Sequence, residues 1–206
     1  MKKLIQKILE LEWDMFVKIQ NIGGPADCQN DPHTFYKQRG SQFAAWNDAM
    51  LKSYLDDLQT AKRFGRNLLA EKYAYMMENT VPDEYNHIFQ TLPSINVEKK
   101  ALINKIIKIH LRWAQETALL YPGLSGRSRP IYSNQDTYKS TSYETYFCGE
   151  LATYSDTTLN EYYCYAQKLD ENGENLNLII LEHTVKSYNY LSLEAAERAA
   201  LYALKM

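Results

Sequence analysis

The residues able to do chemistry fall in a few places along this chain. Arg127 and Arg129 lie in a long irregular stretch, just ahead of Ser140, Thr141 and Ser142. Arginine forks beside the free N–H groups of a helix start suit a phosphate or a carboxylate. Glu144 and Glu150 follow, six residues apart and so on different faces of a helix, with Gly149 between them where another backbone could approach. A second concentration runs over residues 12–31, where Glu12 leads to an Asn21-Ile22-Gly23-Gly24-Pro25 turn and then to Cys28, Gln29 and Asp31. Twin glycines let the backbone take φ > 0 and approach a neighbour or ligand closely, which a plain interhelical loop seldom needs.

Each of these has a plainer reading beside the chemical one. Cys28 stands near a helix start, where the dipole lowers a thiol pKa, yet no histidine accompanies it at a readable spacing. A free cysteine is more often a small buried hydrophobe. Glu84-Tyr85-Asn86-His87 has the Glu-x-x-His spacing of a carboxylate-bridged di-iron site, but such a site needs a second copy and two more glutamates. His33, His110 and His183 are scattered, so no metal is expected. Gly23-Gly24 precedes Pro25, which has no N–H, and no phosphate-binding glycine motif follows a strand. No cofactor is implied. The plainer reading of Arg127 and Arg129 is that they pair with Glu144, Glu150 or Glu12 and pin the loop to the rest of the fold. In that case the two irregular stretches meet in a shared polar patch at one end of the molecule.

The elements that must position these residues are helical. Leu4, Ile5, Ile8, Leu11, Met15, Phe16 and Ile19 recur at three- and four-residue intervals, predicting a helix over about 3–20 with Trp13 and Asp14 toward its other face. Asp31-Pro32 restarts a helix with an N-cap and a proline already at a helical φ. Gly40 is a place to bend, and Phe43, Trp46, Met50, Leu51, Tyr54, Leu55 and Leu58 form one apolar stripe ending near Gly65. Helices are predicted over 68–79, over a short segment opened by Val81-Pro82, and over a long one capped by Asn96 and stopped at Tyr121-Pro122-Gly123. After the irregular 123–140 stretch, Thr141-Ser142-Tyr143-Glu144 has capping-box spacing and Ser155-Asp156 caps the next helix, with Leu159, Tyr163, Ala166 and Leu169 inward. Leu178-Ile179-Ile180-Leu181 carries no period of its own and is read as helix because no partner strand is visible. Ser192 caps the last helix. The expected fold is all-α: one helical domain over 1–206, a single-domain multi-helix bundle with two long irregular loops.

Composition agrees. Eight glycines and six prolines in 206 residues are few, which favours long helices. A net charge of −2 without a block of like charges gives no grip on nucleic acid or on an anionic membrane. Three cysteines without metal-ligand spacing point to a reducing cytoplasm, and no apolar run is long enough to span a bilayer. Ten of the seventeen tyrosines lie between Tyr132 and Tyr190. They either finish the edge of a core or line a cavity of aromatic bodies and hydroxyls.

With these residues in view, the chain resembles the bacterial family catalogued as domain of unknown function 4125. The resemblance rests on Glu12-Trp13-x-Met15-Phe16, Asn21-x-Gly23-Gly24-x-Ala26-x-Cys28-Gln29, Ser41-Gln42-Phe43, Ser53-Tyr54-Leu55-x-Asp57-Leu58, Gly65-Arg66-Asn67-Leu68-Leu69-x-Glu71-Lys72-Tyr73, Thr141-Ser142-Tyr143-Glu144-Thr145-Tyr146 and Gly149-Glu150-Leu151-x-Thr153-Tyr154-Ser155. It implies no activity, since the family is named for having none assigned. Pro25 and Cys148 stand where arginine is usual in that pattern; if those arginines serve an anion site elsewhere, this chain has lost part of it. The expectation is a cytoplasmic binding or interaction protein that takes a small polar or anionic ligand, or a partner protein, through the 12–31 turn and the 123–142 loop. Candidate ligand-binding residues are Glu12, Asn21, Gly23, Gly24, Cys28, Gln29, Arg66, Glu71, Arg127, Arg129, Glu144 and Glu150. The alternative is an enzyme with a glutamate–arginine acid–base site. Oligomeric state is not legible.

Overall fold

Side-chain caps divide the chain into its helices. In the computed structural model, which describes residues 1–19 and 27–203, the elements in order are α1 (Lys2–Phe16), α2 (Pro32–Ala44), α3 (Asp48–Arg63), α4 (Leu68–Thr80), α5 (Pro82–Ile88), α6 (Val97–Leu120), α7 (Pro122–Ser125), α8 (Tyr143–Thr153), α9 (Asp156–Glu171), α10 (Leu176–Ser187) and α11 (Leu193–Ala203). Asp31, Asn96 and Ser155 accept the expected N-cap bonds from Thr34, Lys99 and Thr158. The fold is the expected all-α single-domain bundle, with no strand among the described residues. The apolar run at 178–181 is helical, inside α10, whose start Asn175 caps.

Four local readings change. The stripe from Phe43 to Leu58 is two helices, because Asn47 accepts from the Met50 N–H and starts α3 afresh, while α2 runs through Gly40 to Ala44. The cap of α8 is Ser142 rather than Thr141, and Glu144 turns away to accept from the Ser133 N–H. Trp13 does not face outward; it packs on Phe35, Tyr36 and Phe16, and in α9 the buried tyrosine is Tyr162 rather than Tyr163.

The core gathers α1, α3, α4, α6, α8 and α9 around Trp46, Tyr54, Trp113, Phe147, Leu151, Tyr154 and Tyr162. Gly149 is where α8 crosses α4. A Cβ there would lie 2.8 Å from the Lys72 carbonyl oxygen and 2.8 Å from Met76 Cγ, so only glycine permits the approach. Gly149→Ala is therefore expected to cost about 1–3 kcal/mol of stability, the usual range for overpacking. Urea unfolding would read it, and wild-type stability in that variant would contradict the close crossing. Among the described residues no helix is long and apolar enough to cross a membrane.

Candidate functional site

Glu12 is the first surprise of the packing. It lies on the face of α1 that also buries Ile8, Leu9, Met15 and Phe16, and it is fully buried. A lone carboxylate in such a place is unaffordable unless it is paired and hydrogen-bonded. Arg39, from α2, supplies both: its Nε donates to Glu12 Oε2 at 2.8 Å and its Nη2 to Oε1 at 2.5 Å, a fork-on-fork pair. The Tyr54 hydroxyl of α3 adds a third donor to Glu12 Oε1 at 2.6 Å.

The remaining guanidinium nitrogen reaches across to α8. Arg39 Nη1 donates to Glu150 Oε1 and Oε2 at 3.0 and 3.1 Å, and to the Gln42 side-chain oxygen at 2.6 Å. Glu150 also accepts from Lys72 Nζ of α4 at 2.8 Å, from Gln42 Nε2 at 2.9 Å and from the Tyr154 hydroxyl at 2.8 Å. Two carboxylates thus face two cations, the cluster is neutral, and it ties α1, α2, α4 and α8 at one point. Burial alone would raise the Glu150 carboxyl, but Arg39 and Lys72 outweigh it and hold it well below the usual carboxylate range. Burial likewise opposes the charge on Arg39, and Glu12 and Glu150 overcome it, so the guanidinium is held more firmly protonated than usual. Lys72 follows the same pattern through Glu150, and its Nζ also sits 3.5 Å from the centre of the Tyr146 ring.

Among the sequence-predicted residues, Glu12 and Glu150 are the pair that meets in this network, through Arg39. The others lie apart. Gln29 Nε2 donates to the Phe16 and Ile19 carbonyls and so closes the C-terminal end of α1. Arg66 and Glu71 form a bidentate surface pair with each other at the start of α4. Asn21, Gly23 and Gly24 lie outside the described residues, and Cys28 falls in a 3-10 turn, Asp27–Asn30, described by its backbone alone.

The expected pairing of the loop arginines with glutamates is not what the structure has. Arg129 donates to the Thr141 carbonyl and stacks on Tyr146, and Arg127 reaches the Ala200 carbonyl. The loop serves α8 instead. Its Pro130 and Ile131 carbonyls accept from Tyr143 N and Glu144 N, Asp136 accepts from Ser142 N, and Ser142 accepts from Thr145 N, so the N–H groups read as an anion site are already used. The described parts of the two irregular stretches also sit apart. Asn67, before α4, holds the Met15 carbonyl at the end of α1, while Asn79, near the end of α4, holds Thr145 at the start of α8. Twelve residues of helix separate them, about 18 Å at 1.5 Å per residue.

The two described cysteines are free thiols. Burial, then Glu144 and Glu78, pushes Cys148 up to about 12, so it is an inert thiol; Cys164 is exposed on α9. Among the described residues no three His, Cys, Asp or Glu side chains gather to hold a metal. His87 and Glu84 are on the short α5, which buries none of its residues.

Arg39, Lys72, Gln42, Tyr54 and Tyr154 were missed as site residues by the sequence reading. One signal was present: Lys72 shares a helix face with the apolar Met76, a cation where the pattern asks for a hydrophobe.

These features define a class of protein, an all-α bundle whose interior is tied by a neutral carboxylate–guanidinium–ammonium network. The chain belongs to the family described as Protein of unknown function (DUF4125), whose model matches residues 2–198. Neither a curated protein nor a solved structure matches the chain.

Proposed function

We propose that this is a cytoplasmic helical binding or interaction protein, taking a small polar or anionic ligand or a partner protein at its surface. The observation that carries this reading is the closure of the buried network. Each charged group in it is engaged by another member, and Glu150 is held ionised by two cations. A general acid or base at neutral pH needs the reverse, a carboxyl raised toward the working pH and facing a space for substrate. The network therefore acts as a clamp that fixes four helices, and the exchange with other molecules is left to the surface. The reducing compartment is supported by the free thiols of Cys148 and Cys164.

The partner-protein form of this reading draws on large apolar side chains left exposed at the end of α6 and on α11, with Leu119 at 83% and Tyr202 at 68% exposure. Native mass spectrometry of protein purified from its own host tests the proposal. A stoichiometric adduct, either a small molecule or a second polypeptide, is the expected result. A bare chain that turns over substrates in an activity screen, with the activity lost in Glu150→Gln while the fold is kept, would favour the enzymatic alternative instead.

A further inference from the structure

An open groove of about 670 Å³ lies away from the buried network, between α2 and α10. Gly40 and Ala44 give it a low floor, Tyr36 walls one side, and His33, Lys37 and His183 stand around it. Its volume is in the range that holds a small organic ligand. No carboxylate is among its lining residues, although Asp31 acts on His33 and Glu182 on His183 from beside it; among the described residues Lys37 has no acidic partner, its Nζ resting 4.4 Å from the centre of the Tyr188 ring. Gly40 is also unexplained by packing. A Cβ there would meet only Leu9 Cδ1, at an ordinary 3.7 Å, although glycine inside a helix costs stability relative to alanine.

From the shape and charge of this groove we infer that it binds a small organic anion, an acidic head group carried on a flat apolar body. The inference rests on the binding-protein reading and deepens it, since it names the site and the ligand class. The flat body covers the Gly40–Ala44 floor, and the acid takes the Lys37 ammonium with the imidazole N–H groups of His33 and His183 around it. Nothing in the buried network is used.

The test is a fluorescence titration of the full chain with 8-anilinonaphthalene-1-sulfonate, a flat apolar body with one anionic head. The wild-type chain is expected to bind it saturably at one site. Lys37→Glu should weaken it about tenfold or more, the effect of exchanging an attractive contact for a repulsive one. Ala44→Trp should remove saturable binding by filling the floor, and both variants should keep the wild-type helical circular dichroism. The uncharged N-phenyl-1-naphthylamine should bind about tenfold more weakly than the sulfonate. Lack of saturable binding to the wild-type chain, an unchanged titration in Lys37→Glu, or equal affinity for the uncharged probe would overturn the inference. Native mass spectrometry of wild-type and Lys37→Glu chains from the same host separates this from the broader reading. A small-molecule adduct on both places the ligand elsewhere, which sinks the groove and leaves the binding reading standing. An adduct on the wild-type chain alone supports both. Adducts on neither, with the probe results as expected, support the groove and count against the broader reading.

Discussion

Arg39→Ala is expected to lower the stability of the fold by about 3–5 kcal/mol, the usual consequence of removing one partner from a buried ion pair. The side chain is 12% exposed and faces Glu12 and Glu150 at 0% and 3%, so its loss leaves carboxylates out of contact with water. Lys72 and Tyr154 still hold Glu150, and Gln42 still donates to it. Glu12 keeps only the Tyr54 hydroxyl and has no remaining positive partner. Glu12 is thus the group that suffers most. Removing its charge as well, in Arg39→Ala with Glu12→Gln, should recover part of the loss, because the uncompensated charge is the larger share of the cost. Thermal and urea unfolding of the two variants would check this. For a chain of this size the single variant should melt roughly 10 °C lower or more. A melting temperature near wild type for Arg39→Ala would mean that the network contributes little to holding α1, α2 and α8.

The second large effect is expected on acidification, and it comes from His110. This side chain is 1% exposed, between Trp113, Phe147 and Tyr162, with the Tyr143 hydroxyl and Asn177 at Nδ1 and the Tyr162 hydroxyl at Nε2. Burial pushes its pKa down to about 3, only partly offset by the bond to Asn177. Because the folded value lies below the unfolded one of about 6.5, the unfolded chain binds the proton first. Stability from the neutral ring is therefore full above the unfolded value and is lost as pH falls toward 3. The loss should reach about 2 kcal/mol at pH 5 and about 4 kcal/mol at pH 3. Glu150, held below the ordinary carboxylate range, loses stability in the same direction but only at lower pH, so the window from 6.5 to 5 isolates the histidine. Urea unfolding at pH 7 and pH 5 should differ by that amount, and His110→Asn should flatten the difference. Equal stability at the two pH values would show that the ring is not held neutral.

How much of this could be read from the sequence depends on whether the cause is local. Caps are local, and Asp31, Asn96 and Ser155 act where their residue types and the helical period place them. Asn47-Asp48 is an equally local cap, passed over because the apolar residues on both sides continue one stripe across the break. Gly149 was legible as a site of close approach, since a mid-helix glycine needs a reason. The network was legible only in part. Glu12 and Glu150 were visible as candidate carboxylates, but their shared partner Arg39 is 27 and 111 residues away from them. No period reports a contact across that separation, so the nearer and more conspicuous Arg127 and Arg129 were matched to the glutamates. These arginines instead meet backbone carbonyls, and the loop that carries them spends its own polar groups capping α8. All the network residues except Arg39 fall within the stretches that carry the family resemblance. Arg39 lies two positions before one of them.

At neutral pH Glu150 acts as an ionised clamp held by Arg39 and Lys72, not as a proton-exchanging group. A carbon-13 titration of the Glu150 side-chain carboxyl in the native chain, followed from pH 8 to pH 5, tests it most directly. The carboxyl shift should stay at its ionised value throughout, because Arg39 and Lys72 hold the group below the ordinary carboxylate range. A titration step for Glu150 inside that interval, with the fold intact, would contradict the clamp and mark the residue as an acid–base group.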